Sequence, residues 1–292
     1  MASLKEVRNR ISSVSSTRQI TSAMKLVSAA KLKRAQDNII KMRPYANKLK
    51  EILNNLSGSV SSDTESPYTE VRDVKRVLLI AVSANKGLCG AFNANVAKKA
   101  QLVLDQHKEY VDAGNLEVIC IGRNVANVFA KKNVKMRARF DEIVDKPTFA
   151  NANEIAEMVM GLFADKLFDK VIVVYNEFQS AASILTKEEV FLPLTPNAES
   201  NETIVSAEYI YQPSKEEIVY NLIPASLKTQ FFKVILDSQA AEHGARMTAM
   251  HKATDNAGTL LNELKLSYNK ARQAAITNEI LEIVGGAEAL KG

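Results

Sequence analysis

The chain has 292 residues, 46% hydrophobic and 24% charged, with a net charge of +5, enough length and apolar content to bury a core in one or two domains. No run approaches the ~18 apolar residues that cross a bilayer, and the opening Met1-Ala2-Ser3-Leu4-Lys5-Glu6 lacks the apolar stretch of a secretory signal, so the chain is expected to work where it is made. Cys89 and Cys120, the only cysteines, stand in apolar surroundings without metal-ligand spacing, which points to reduced, buried thiols and away from a disulfide scaffold or a zinc site.

The first fifty residues are strongly basic: twelve Lys and Arg face only Glu6 and Asp37, and the remainder is net acidic. Such a segment suits nucleic acid, an anionic membrane or acidic protein loops, and a solvated helix face needs no partner at all. A helix is predicted from about Ser3 to Leu56. Leu4, Val7, Ile11 and Val14 open a heptad pattern, and Leu32, Ala35, Ile39, Met42, Ala46, Leu49, Leu53 and Leu56 continue it as a coiled-coil seam. At 1.5 Å per residue this is roughly 80 Å of rod. Pro44 removes one backbone donor and is expected to bend it. A polar connector follows, from Ser57-Gly58-Ser59 to Ser66-Pro67.

Between Val74 and Pro193 the pattern changes. Val77 to Val82, Leu116 to Ile121 and Val171 to Tyr175 are short apolar runs of buried-strand type. Ala94 to Val111, Arg123 to Lys132 and Ala152 to Leu167 have helix length and composition. Alternation of this kind predicts βαβ units and a mainly parallel sheet, with Ile184 to Leu192 as an added edge strand.

A second polar connector leads to Tyr209-Ile210-Tyr211-Gln212-Pro213. Ser214-Lys215-Glu216-Glu217 is a capping box, and the helix it opens is expected to reach Val284, with Pro224 a place for a bend or break and Gly285-Gly286 a stop. Ala257, Leu261, Leu264, Tyr268, Ala271 and Ala275, followed by Ile276, Ile280, Ile283 and Ala287, repeat the seam alternation, which makes this helix the antiparallel partner of the first. Ala241, Ala245, Ala249, Ala253 and Ala257 form a narrow face suited to close approach, opposite Ser22, Ala23, Ala29 and Ala30. The expected fold class is therefore α/β: a long antiparallel coiled coil of N- and C-terminal helices plus a central Rossmann-like α/β domain with a mainly parallel sheet. The expected domains are residues 1–57, 74–196 and 208–287, the last pairing with the first.

Gly87-Leu88-Cys89-Gly90, between a strand and a helix, lies where phosphate-binding loops occur. It is followed by Ala91-Phe92-Asn93, which lacks the Lys and the Ser or Thr that reach phosphate and magnesium, so it reads as a tight strand-to-helix turn. His107, His243 and His251 have no zinc or triad spacing and are expected on the solvated surface, and nothing near Cys89 in sequence would lower its pKa. No cofactor or metal is expected, and no catalytic group. The most specific stretch runs from Arg272 to Ala287, where Arg272, Gln273, Thr277, Glu279 and Glu282 crowd polar groups onto the end of a helix.

This end closely resembles the C-terminal signature of the gamma subunit of F-type ATP synthases. Thr17-Arg18-Gln19-Ile20-Thr21-Ser22-Ala23-Met24-Lys25 is similar to that family's N-terminal motif. Ala245-Arg246-Met247 and Ala253-Thr254-Asp255-Asn256-Ala257 resemble its C-terminal helix motif, and Gly87-Leu88-Cys89-Gly90 its glycine turn. The resemblance covers essentially the whole chain in order. It implies a non-catalytic rotor shaft standing inside a ring of three alpha and three beta subunits, with epsilon beside it and its foot on the membrane c-ring. It further implies beta-subunit contacts at Met24, Lys25, Arg272, Gln273, Thr277, Glu279 and Glu282, and c-ring contacts at Tyr209 and Gln212. Gln212 stands where the family usually has Glu, and Ala91 where it usually has Gly. Without a transit-like segment or the cysteine-bearing insert of chloroplast forms, the expected place is the cytoplasmic face of a bacterial cell membrane, reached through the c-ring only. Two rivals remain at this level: a basic coiled coil that binds nucleic acid, and a nucleotide-binding enzyme on the central sheet.

Overall fold

A computed structural model describes residues 4–57, 66–181, 183–194 and 215–289. They fall into two compact units, one from Ala29 to Arg246, the other of the residues up to Ser28 with those from Met247 onward. Two helices contribute to both: α1 (Leu4–Ser57) and α7 (Lys215–Ala289).

In the larger unit the apolar runs become a five-stranded sheet of β1 (Val77–Val82), β2 (Leu116–Ile121), β3 (Met136–Phe140), β4 (Lys170–Phe178) and β5 (Ile184–Leu192), ordered β3-β2-β1-β4-β5. β1 pairs in parallel with β2 and β4, and β2 with β3, while β5 runs antiparallel along the edge of β4. Every residue of β1 is buried, because parallel strands covered on both faces leave no side for water. One face carries α2 (Phe92–Gln106), the short α3 (Lys108–Asp112) and α4 (Arg123–Lys131). There Val96, Ala100, Val103 and Phe129 pack on Val77, Leu79 and Ala81. The other face carries α5 (Glu142–Asp145), α6 (Phe149–Ala164) and the lower part of α7, with Phe163, Leu227, Phe231 and Val234 against Leu78, Ile80 and Val82. Alternate residues of one strand thus enter two cores. Gly122 opens α4 at φ 93°, and a Cβ there would collide with the carbonyl of Ser83, so glycine is required.

Several expectations need correction. Ala94 to Val111 is two helices, interrupted at His107, whose backbone leaves helical geometry. The half-exposed strand β3 (Met136–Phe140) has too few apolar residues to stand out in the sequence. α1 continues through Pro44 and α7 through Pro224 without a break. Each proline removes one backbone hydrogen bond, at a cost of about 3 kcal/mol, and at Pro224 the buried neighbours Ile223 and Leu227 offset it. Gly285 and Gly286 do not stop α7, which runs on to Ala289. The Ser214 end of the expected capping box lies outside the described residues.

Candidate functional site

In the smaller unit the N-terminal part of α1 and the C-terminal part of α7 run antiparallel. Thr254 Oγ1 donates to Thr21 Oγ1 at 2.9 Å, Lys25 Nζ lies 3.4 Å from His251 Nδ1, and an Arg8 guanidinium nitrogen donates to the Tyr268 hydroxyl at 3.0 Å. The Arg8 guanidinium also sits 5.8 Å from the centre of the Tyr268 ring. Val7, Thr21, Ser28, Met250, Ala257, Leu261 and Leu264 are buried along this pair. These contacts fix the register, and the register corrects the sequence expectation. The α7 seam from Ala257 to Leu264 lies against the first turns of α1, whereas the α1 seam residues Leu32, Ala35, Ile39 and Leu49 are buried within the sheet-bearing unit. The side chains of Leu53 and Leu56 lie outside the described residues.

From Ile276 to Glu288 the α7 side chains are exposed, Ile280, Leu281, Ile283 and Val284 among them. The register explains why: with Tyr268 beside Arg8 and α1 beginning at Leu4, the described part of α1 extends no further than about Arg272, and the apolar residues beyond it are also out of phase with the seam. Heptad steps from Ala271 lead to Ala275, Asn278 and Glu282, whereas Ile276, Ile280, Ile283 and Ala287 start a new series one residue out of phase. On a 3.6-residue helix this second series spans about 60° of arc and is turned by roughly 110° from the seam. The apolar end is therefore a separate stripe, not the continued seam. Arg272 and Glu279 border it on one side and Gln273 and Thr277 on the other, while Glu282 lies in the seam direction, all five exposed. The Thr277 hydroxyl donates to the carbonyl of Gln273 at 2.9 Å and so stays folded onto the helix. Met24 and Lys25 are half-buried on α1. The structure therefore groups Arg272, Gln273, Thr277, Glu279 and Glu282 at one helix end and sets Met24 and Lys25 further along the pair, while Tyr209 and Gln212 lie outside the described residues.

The second notable place is the end of β1. Open parallel sheets bind ligands at the carboxyl ends of the strands where the chain order reverses, here between β1 and β4. α7 fills that crevice: Ala241 and the partly buried Ala245 pack on Ala84, Cys89, Phe92 and Phe178. A Cβ on Gly244 would meet the Phe178 ring at 3.3 Å and the Ala181 backbone at 3.5 Å. The glycine turn faces α7 with carbonyls rather than N–H groups. Arg246 donates from Nη2 to the carbonyls of Lys86 and Gly87 at 3.2 Å each, and from Nη1 to Glu242 Oε1 at 2.6 Å. A phosphate loop presents the opposite polarity, so this turn holds a cation supplied by the protein itself. The Ala241, Ala245 face thus serves, at this level, to seat α7 on the sheet domain.

Burial changes three groups that the sequence leaves at their ordinary values. His243 is buried, not solvated, and desolvation with help from the Arg246 and Lys31 charges lowers its pKa to about 4. Desolvation raises Glu242 despite its Arg246 partner. Both cysteines are free and buried, and burial pushes Cys120 up to about 12. Sequence reasoning missed Glu242 and Arg246 as a buried pair. Their i, i+4 spacing in an alanine-rich stretch was the available signal, although a surface pair has the same spacing. Among the described residues no group of His, Cys, Asp and Glu could hold a metal ion, and no helix is long and apolar enough to cross a membrane.

A family model described as ATP synthase matches residues 3–290. The ATP synthase gamma chain of Flavobacterium johnsoniae is 54% identical over 292 residues, covering 100% of both chains, and that of Flavobacterium psychrophilum is 53% identical with the same coverage. The chain belongs to the ATP synthase gamma-chain family. A chain of the Euglena gracilis mitochondrial ATP synthase shares the fold, with a TM-score of 0.69 at 18% identity over 98% of this chain and 94% of its own. Family membership makes the chain a central-stalk rotor subunit of an F-type ATP synthase and supersedes the nucleic-acid reading of its basic first helix.

Proposed function

We propose that this chain is the non-catalytic shaft that turns inside a ring of three alpha and three beta subunits, with epsilon bound beside it, at the cytoplasmic face of a bacterial membrane. The observation that carries this reading is the end of α7. It stays helical past the last turn that α1 covers, and it presents an apolar stripe edged by Arg272, Gln273, Thr277 and Glu279, with Glu282 in the seam direction. Burying an exposed Ile or Leu side chain is worth up to about 2 kcal/mol, so the stripe suits an apolar sleeve formed by a ring. The polar edges suit contacts that differ from one beta subunit to the next, and Met24 and Lys25 would add to them from α1. Tyr209 and Gln212 are assigned to the c-ring by resemblance.

The energetics favour a distributed contact. Reversing a site's preference ten-thousandfold takes about 5.5 kcal/mol, while an exposed ion pair supplies at most about 1 kcal/mol. Several contacts must therefore act through one stiff element. The ATP chemistry then belongs to beta, and the shaft acts through its differential contacts with the states of each site.

The test is to replace Arg272 or Glu279 by Ala in the assembled enzyme. Coupled ATP synthesis should fall several-fold while the thermal unfolding of the isolated chain is unchanged. Synthesis at the wild-type rate in both variants would remove these residues from the mechanism. Purification of a tagged chain from mild-detergent membranes should bring three alpha and three beta subunits per copy, and recovery of the chain alone would refute the assembly.

A further inference from the structure

The crevice at the end of β1 carries one group that the rotor reading does not use. Ala241, Gly244 and Ala245 give α7 a smooth surface where it crosses the sheet. Side chains this small leave little relief for neighbouring ridges to catch, so this stretch resists sliding and axial twisting less than the interdigitated Leu227, Phe231 and Val234 do. Directional bonds supply what the smooth face lacks. Arg246, 9% exposed, supplies three to one turn of the sheet domain: Nη2 to the carbonyls of Lys86 and Gly87 at 3.2 Å each, and Nε to the Gly87 carbonyl at 3.4 Å.

The turn is built to be gripped. Asn93 closes it from inside, donating from Nδ2 to the Lys86 carbonyl at 3.4 Å and accepting through Oδ1 from the Ala84 N–H at 3.0 Å. Leu88 and Gly90 both sit at φ 60°, which reverses the chain tightly. Glu242, one helical turn before Arg246, holds the guanidinium at the angle from which its other edge reaches the carbonyls. Arg246 is also the last residue of the sheet-bearing unit, so the grip acts on the final turn of α7 that this unit contains.

We propose that Arg246 is a positioning residue of the rotor, a clasp that locks helix α7 to the glycine turn of the sheet domain so that load on that domain turns the helix without slip. The proposal rests on the rotor reading. It concerns how the torque path is fastened and involves no beta contact.

Arg246→Lys separates a clasp from mere charge balance. A lysine keeps a positive charge beside Glu242, but its single ammonium cannot reproduce a planar fork reaching both carbonyls. In the membrane-reconstituted complex, Arg246→Lys should hydrolyse ATP near the wild-type rate while the coupling ions, protons or sodium, pumped per ATP against an imposed gradient fall at least threefold. Amides of residues 84–91 should exchange hydrogen at least tenfold faster in the isolated full-length chain, with β1 unchanged. Glu242→Gln removes the charge but keeps a side-chain oxygen that accepts from Arg246 Nη1, so the guanidinium stays aimed at the carbonyls and this variant should pump as the wild type does. Wild-type pumping by Arg246→Lys, or an equal loss in Glu242→Gln, would overturn the clasp. If Arg246→Lys does not assemble, unchanged exchange at 84–91 overturns it alone. Failure of the wild-type chain to support pumping would instead count against the rotor reading.

Discussion

His243 stands on α7 with Glu242 and Arg246 on its own helix and Lys31 and Asp145 facing it from elsewhere in the unit. Its folded pKa is about 4 against an ordinary value of 6.5. Between these values the unfolded chain binds a proton that the folded chain refuses, so stability rises with pH through this window and is lost as pH falls from 6.5 toward 4. By pH 5 the loss from this residue is about 2 kcal/mol. Glu242, shifted upward, acts with the opposite sign above the ordinary carboxylate range, so the raw pH profile mixes the two. The difference between wild type and His243→Gln in urea unfolding at pH 7.5 and pH 5 isolates the histidine. The variant should lose about 2 kcal/mol less over that interval, and parallel losses would show that the ring is not held neutral. The thiols make a second test. With Cys120 near 12, only about one in ten thousand is thiolate at pH 8. Neither cysteine should be alkylated at pH 8 until the chain is unfolded, and rapid labelling of the native chain would contradict their burial.

At the scale of elements, α7 changes role along its length. Leu261 lies in the seam with α1, and Leu261→Ala should destabilise the isolated chain by about 2–4 kcal/mol through lost burial and a cavity. Ile280 lies on the offset stripe, 54% exposed. Ile280→Ser should change the stability of the isolated chain by less than about 0.5 kcal/mol yet weaken its recovery in the assembled complex. Equal destabilisation by the two substitutions would mean that the stripe is part of the helix pair. Much of this was legible in the sequence. Heptad steps marked both long helices, and apolar runs marked β1, β2 and β4, because burial on both sides leaves a continuous apolar signature; β5, an edge strand with Lys187, Glu188 and Glu189 inside it, gave a weaker one. What was not legible depended on partners distant in sequence. Which half of α7 meets which part of α1 follows from the antiparallel register. The break in phase after Ala275 gains meaning only where α1 ends. Gly285-Gly286 carried a stop signal that costs only about 1 kcal/mol per residue to ignore. The five polar residues of the helix end were legible through family resemblance, since as a pattern they equal any solvated helix face. The Arg246 grip on the glycine turn joins positions more than 150 residues apart, and no local spacing reveals it.

For the whole molecule, the crevice where an open α/β sheet would take a ligand is filled by α7, held by a cation from its own chain. The sheet domain thereby seats a helix at the place where such sheets take ligands. A saturating nucleotide should leave the melting temperature of the isolated chain unchanged, because only a ligand that binds the folded state stabilises it. A rise of several degrees would revive the enzyme reading of the central sheet. The proposed function requires this chain to rotate under the control of catalytic sites it does not itself contain. The direct measurement is single-molecule rotation: the ring of alpha and beta subunits is fixed to a surface, and a probe is attached to a cysteine introduced at exposed Ser180. On adding ATP the probe should turn in one direction, pausing three times per revolution, and stop when ATP is removed. A probe that only fluctuates, while the same assembly hydrolyses ATP at its usual rate, would contradict the account.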